Sequence, residues 1–219
     1  MNEKEAIIFD MDGLMIDSEP IQSRSFEVIL RQYGKTPIFN EHGIVQTVGI
    51  GARDNWLQMQ SRYDLQEDIE ILIERKRQVY VELLRQGVTP MPGFLSLLHH
   101  LKDYQLKKAV ASSSARENID LVVAHLNIQE YFAAFISGEQ VKKGKPAPDI
   151  FLEAASQLHA NTPYCVVLED ADSGVQAAKE AGMKVIAVPN KFTQHHDFRK
   201  ADKVVPSLEY VNWRVISKL

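Results

Sequence analysis

Apolar and polar positions along this chain fall into two textures. Residues 6–9, Ala-Ile-Ile-Phe, form a short unbroken apolar run, and strand-like segments return at 107–111 and 184–188, each opened by lysine, and at 135–136, 165–168 and 204–205. Short uninterrupted runs of this kind predict strands buried on both faces, as in parallel sheets. Between the later runs, apolar residues recur at helical spacing, predicting helices over 94–104, after Ser114, over 149–158 and over 173–181. Gly182 suits the C-terminal stop of the last one. Ser114 and Glu117, three apart, predict a capping box. Strands alternating with helices predict an α/β fold built on a doubly wound parallel sheet.

The stretch between the first run and residue 87 reads differently. Ile21, Ser25, Phe26, Ile29 and Tyr33 keep one helical spacing, and Ile69, Leu72, Ile73, Tyr80, Leu83 and Leu84 keep another. Asp17 and Ser18 are natural N-cap residues, and Pro20 suits a first helical turn. Only 44–50 is ambiguous between strand and loop. The pattern predicts an all-helical insertion over 18–87, set into a core made of 1–17 and 88–219.

The predicted strands end in polar residues, and this locates the chemistry. Asp10 and Asp12, then Ser112, then Glu169 and Asp170 all follow strand ends, so a parallel sheet carries them to one edge, where ligands bind in such folds. Two carboxylates as close as Asp10 and Asp12 repel each other, and a divalent cation is the simplest compensation. Oxygen-only ligands favour a hard ion such as Mg2+. Taken alone, Asp-x-Asp-Gly also fits a plain turn, with Gly13 supplying positive φ.

Composition narrows the function classes. The 219 residues carry 25 basic and 29 acidic side chains, a net charge of −4, which gives no electrostatic case for nucleic acid or an anionic membrane. No apolar run approaches the roughly 20 residues of a bilayer span. The polar, acidic start is unlike a secretory signal, and the single cysteine, Cys165, suits a reducing compartment. The expected setting is cytoplasmic. The seven histidines show no metal-ligand spacing, and Trp56 and Trp213 read as packing residues.

Four short motifs, Phe9-Asp10-Met11-Asp12-Gly13, Ala111-Ser112-Ser113, Gly144-Lys145-Pro146-Ala147-Pro148-Asp149 and Leu168-Glu169-Asp170, make the chain resemble the haloacid dehalogenase-like (HAD) hydrolase superfamily over nearly its whole length. The insertion resembles the cap of the branch holding β-phosphoglucomutases and sugar-phosphate phosphatases. The resemblance implies a Rossmann-like core with a helical cap. It also implies a Mg2+-dependent phosphatase acting on a small phosphorylated metabolite, a sugar phosphate by preference. Asp10 would be the nucleophile that forms an aspartyl-phosphate, and Asp12 the acid and base. The ion would be held by the Asp10 carboxylate, the Asp12 backbone carbonyl and Asp170, with Glu169 in or beside that shell. Ser112 and Ser113 would bind phosphate while Ser114 caps the following helix. Lys145, rather than Lys142 or Lys143, would neutralise phosphate charge.

On the insertion, Lys76 lies on the apolar stripe between Ile73 and Tyr80, so it either snorkels to solvent or faces the cleft between the domains, where it would be a substrate-recognition candidate. Arg53, and Arg116 on the core, are further substrate-recognition candidates. Gln22 stands where β-phosphoglucomutases place a histidine, which weakens the mutase alternative. Asp12 counts against a dehalogenase and against phosphonate cleavage. A non-catalytic binding protein with this fold is a third reading, disfavoured because Asp10, Asp12, Ser112, Lys145 and Asp170 are all present. The absence of a heptad pattern leaves a monomer or weak oligomer as the expectation.

Overall fold

The computed structural model describes residues 4–48 and 51–219. The chain divides into two compact units, one running to Asp17 and resuming at Thr89, the other Ser18–Val88. In chain order the strands are β1 (Ala6–Phe9), β2 (Lys107–Ser112), β3 (Ala134–Ser137), β4 (Cys165–Glu169), β5 (Lys184–Ala187) and β6 (Lys203–Val204). Three helices, α1 (Glu19–Gln32), α2 (Ala52–Tyr63) and α3 (Ile69–Gln86), lie in the smaller unit. Five lie in the larger: α4 (Phe94–His100), α5 (Arg116–Leu126), α6 (Asp149–Gln157), α7 (Asp172–Glu180) and α8 (Trp213–Ile216).

The six strands form one parallel sheet in the order β3-β2-β1-β4-β5-β6, the Rossmann-like arrangement expected. Every residue of β1, β3 and β4 is buried, which explains why these strands read as continuous apolar runs. Alternate residues serve opposite faces. Ala6, Ile8, Ala109, Ala111, Val167 and Val185 pack with Ile150, Phe151, Ala154, Val175 and Ala178 of α6 and α7. Alanines on both partners let those helices approach closely. On β1, Phe9 meets Phe94 and Phe132 edge-on, with ring centroids 6.1 and 5.6 Å away.

The smaller unit has its own core, in which Phe26, Ile29 and Leu30 of α1 pack with Trp56 and Met59 of α2 and Leu72 of α3. The Phe26 and Trp56 rings lie 4.9 Å apart.

Local details depart from the sequence reading. The helix expected over 94–104 stops at His100 and tightens into a 3-10 turn, Leu101–Asp103. Ser18 occupies the N-cap of α1 but makes no side-chain cap hydrogen bond, while Asp68 caps α3 by accepting from Glu70 N. Residues 44–48 form a loop, and 49–50 lie outside the described residues. Among the described residues no helix is long and apolar enough to cross a membrane.

Candidate active site

Because every strand pair is parallel, the C-terminal ends of β1, β2, β4 and β5 share one edge of the sheet. Asp10 N donates to Leu168 O (3.0 Å), so pairing continues one residue beyond β1 and sets Asp10 beside Glu169. Asp10, Glu169 and Asp170 are all buried, and each offers a carboxylate oxygen within 4.8 Å of the others. Lys145 is the cation that bonds two of them. Lys145, whose side chain is 8% exposed, donates from Nζ to Asp10 Oδ1 (2.5 Å) and Glu169 Oε1 (2.6 Å). The second Glu169 oxygen accepts from Ala171 N at 2.9 Å.

This crowding disturbs protonation. Burial pushes the Asp10 carboxyl up to about 8; the Lys145 charge opposes the rise, and those of Glu169 and Asp12 reinforce it. Burial, then the charges of Glu169 and Asp10, raise Asp170 well above the usual carboxylate range. Burial acts to lower the Lys145 ammonium, but Asp10 and Glu169 outweigh it and hold it above its usual value. Three buried carboxylates within 4.8 Å of one another, two of them paired with one ammonium and all offering oxygen ligands, fit a hard divalent cation.

Two glycines make room for these side chains. Gly13 has φ +83°, and a Cβ there would stand 2.4 Å from Asp170 Oδ2. At Gly174, in the first turn of α7, a Cβ would stand 1.7 Å from Glu169 Oε1.

The remaining predicted core residues gather at the same edge. Ser112 Oγ donates to Asp12 Oδ2 (3.2 Å) and accepts from Ser114 N (3.0 Å). Ser113 is exposed. The Ser114–Glu117 capping box does not form. Ala115 is the N-cap of α5, the Arg116 amide donates to Glu139 Oε2 (3.0 Å), and Ser114 Oγ donates instead to Asp12 Oδ2 at 2.8 Å. A partner distant in sequence has claimed the hydroxyl that local spacing assigned to the cap.

Arg116 turns its guanidinium to Asp120 (2.8 Å), one helical turn along α5. In the smaller unit, the exposed Arg53 pairs with Glu70. Lys76 donates to Gln22 Oε1, with its ammonium 5.1 Å from the Phe26 ring centre and 4.9 Å from that of Tyr80. Lys76 thus remains on the apolar stripe rather than snorkelling away from it.

Sequence reasoning missed Asn190. Its Nδ2 donates to both Asp170 Oδ2 (2.8 Å) and Gly13 O (3.0 Å), and its own amide donates to Thr193 Oγ1 (3.0 Å). The strand-end rule that located Asp10 and Asp170 would have reached Asn190 had it been extended past Val188 and Pro189.

A parallel α/β sheet with buried carboxylates, a lysine and hydroxyls along its carboxyl edge defines a class of hydrolase. The chain belongs to the haloacid dehalogenase-like hydrolase family, whose sequence pattern matches residues 7–188. It is similar to the phosphorylated carbohydrates phosphatase of Thermotoga maritima, 32% identical over 186 residues covering 83% of each chain. It is also 33% identical, over 205 residues and 92% of its length, to the bifunctional riboflavin kinase/FMN phosphatase of Arabidopsis thaliana, of which the match spans only 53%. Among solved structures, CbbY from Rhodobacter sphaeroides in complex with phosphate matches with a TM-score of 0.82 at 25% identity, covering 99% of this chain and 100% of that one.

Proposed function

We propose that this protein is a Mg2+-dependent phosphomonoesterase acting on a small phosphorylated metabolite, with sugar phosphates the preferred class. The observation that carries the reading is the buried cluster of Asp10, Glu169 and Asp170, the first two of which are bound by Lys145. The similarity to a phosphatase of phosphorylated carbohydrates supports the substrate class.

In this reading Asp10 attacks phosphorus and becomes the aspartyl-phosphate. Asp12 protonates the leaving oxygen and then takes a proton from the incoming water. Lys145 keeps Asp10 oriented and, with the Ser112 hydroxyl and the Ser113 backbone, meets the phosphoryl oxygens. Asp10, Asp170 and the Asp12 carbonyl hold Mg2+, which when bound neutralises phosphate charge and acts as a Lewis acid. With both oxygens already engaged, Glu169 serves mainly to anchor Lys145.

The insertion Ser18–Val88 is assigned the cap's role of choosing the substrate, with Lys76 foremost and Arg53 secondary, and Arg116 of the larger unit is a further secondary candidate. Gln22, which accepts from Lys76, favours hydrolysis over the mutase chemistry that places a histidine there. The lone buried Cys165 fits a cytoplasmic setting.

The test is inorganic phosphate release from a panel of phosphosugars with Mg2+. Release should stop in EDTA, return with Mg2+ and vanish in Asp10→Asn; interconversion of phosphosugar isomers without release would establish the mutase instead.

A further inference from the structure

We propose that Lys108 anchors a second binding site, at the amino edge of the sheet, for a small molecule carrying one carboxylate. The inference goes beyond the phosphomonoesterase reading and does not depend on it.

Lys108 is the second residue of β2, whose last residue, Ser112, stands at the catalytic edge. At about 3.3 Å per residue the two lie roughly 13 Å apart along the strand. Strand alternation sends Lys107 and Lys108 to opposite faces of the sheet. The Lys107 ammonium is satisfied there, donating to Leu158 O (2.7 Å) and His159 O (3.1 Å) just past the end of α6. Lys108 is only 6% exposed. An ammonium has three N–H groups to give, and among the described residues Lys108 Nζ meets one acceptor, Leu106 O at 3.1 Å. Among those residues no carboxylate pairs with it, and burial lowers its pKa from the usual lysine value. A buried ammonium left with one neutral acceptor is costly, and an anion beside it removes the cost.

The space for that anion is already built. Lys108 lines a recess of about 370 Å3 together with Lys102, Tyr104, Glu130 and Tyr131, a volume in the range of small-molecule sites. Glu130 pairs with Lys102 at 3.5 Å, so these two charges offset each other. The Lys108 charge is the one left over, and a single negative charge balances it. Both tyrosine rings are held in place. Tyr104 lies against Trp213, with ring centroids 5.0 Å apart, and Tyr131 lies under the Lys102 ammonium at 5.4 Å. Phenol hydroxyls donate well to a carboxylate, and the rings offer apolar surface to an organic body that a halide would lack.

The experiment is a thermal melt of the metal-free protein titrated with sodium acetate, with sodium chloride and sodium phosphate at equal ionic strength as references. It is run on the unmodified protein and on Lys108→Met. Acetate should raise Tm saturably, by about 3–5 °C at roughly ten times its Kd. Lys108→Met should abolish that saturable part and keep only the general salt effect. Without added acetate, Lys108→Met should melt at or above the temperature of the unmodified protein, because it removes a buried charge that has no carboxylate partner to strand. No saturable rise with acetate, an equal rise in Lys108→Met, or a Lys108-dependent rise given by phosphate and not by acetate overturns the proposal. A Lys108→Met chain that melts well below the unmodified protein, or fails to fold, also overturns it, since the ammonium would then be satisfied from within the fold.

Discussion

Gly174→Ala reverses the ordinary sign of a helix substitution. Replacing a helical glycine by alanine normally stabilises, by up to about 1 kcal/mol in a helix interior. Here the new Cβ would stand 1.7 Å from Glu169 Oε1 and 2.0 Å from its Cδ. To regain van der Waals contact, the carboxyl must retreat by roughly 1.5 Å or more. Its hydrogen bonds to Lys145 Nζ (2.6 Å) and Ala171 N (2.9 Å) cannot both survive that retreat. Hydrogen bonds to charged groups contribute about 1.5–3 kcal/mol each, so the loss of one or both, less the propensity gain, leaves a destabilisation of about 0.5–5 kcal/mol. For a chain of this size that corresponds to a fall in Tm of roughly 1–20 °C.

Thermal melts of Gly174→Ala, Glu169→Ala and the double variant, all in EDTA, form the assay. With the carboxyl already removed, Gly174→Ala should be neutral or mildly stabilising, giving a coupling of about 1.5 kcal/mol or more between the two positions. A Gly174→Ala protein as stable as the original, or penalties that simply add, would refute the reasoning.

Lys145→Met leaves Asp10 and Glu169 buried without their cation, so in metal-free protein at pH 9 denaturant melts should show a loss of about 3–5 kcal/mol; an unchanged midpoint would count against the pairing. Asp10, raised to about 8 in the folded protein, contributes stability that is complete below its unfolded value near 4 and is lost as pH rises through about 8. A divalent ion displaces that proton, so the rise in Tm on adding Mg2+ should grow steadily from about pH 5.5 to 8; an increment independent of pH would contradict it. Asn190→Ala removes the amide that fixes Asp170, and calorimetric Mg2+ affinity should fall about 10–100-fold; an unaltered affinity would show that Asp170 is oriented by other groups.

The central strands were legible in the sequence because burial on both faces of β1 and β4 leaves a run of apolar residues. Since all strands of the sheet point one way, polar residues just after those runs had to share an edge, and Asp10, Ser112, Glu169 and Asp170 do. Legibility failed where a partner distant in sequence displaces a local preference. Ser114 carries a capping pattern yet bonds Asp12, 102 positions away. Asn190 follows Val188 and Pro189, so no polar residue marks the end of β5. The contact between Gly174 and Glu169 depends on α7 crossing the end of β4, which no spacing rule encodes. On the charged surface the situation is reversed: Arg116 pairs with Asp120 one helical turn away, a partner that spacing alone could have named.

The electrostatics of the cluster divide its carboxylates by task. Fully ionised, Asp10, Glu169 and Asp170 bring three negative charges and Lys145 returns one, so the charge of the buried group matches that of a divalent ion. Glu169 spends one oxygen on Lys145 and the other on a backbone amide, which leaves its charge satisfied from within the protein. Asp170 is steadied by the neutral amide of Asn190, which orients the carboxylate without cancelling its charge. Asp10 shares Lys145 with Glu169, so under the proposed reading the lysine keeps one carboxylate partner when Asp10 bonds phosphorus. If Asp10 is the nucleophile proposed above, it can lose its charge while Lys145 stays paired with the carboxylate that Gly174 leaves room for.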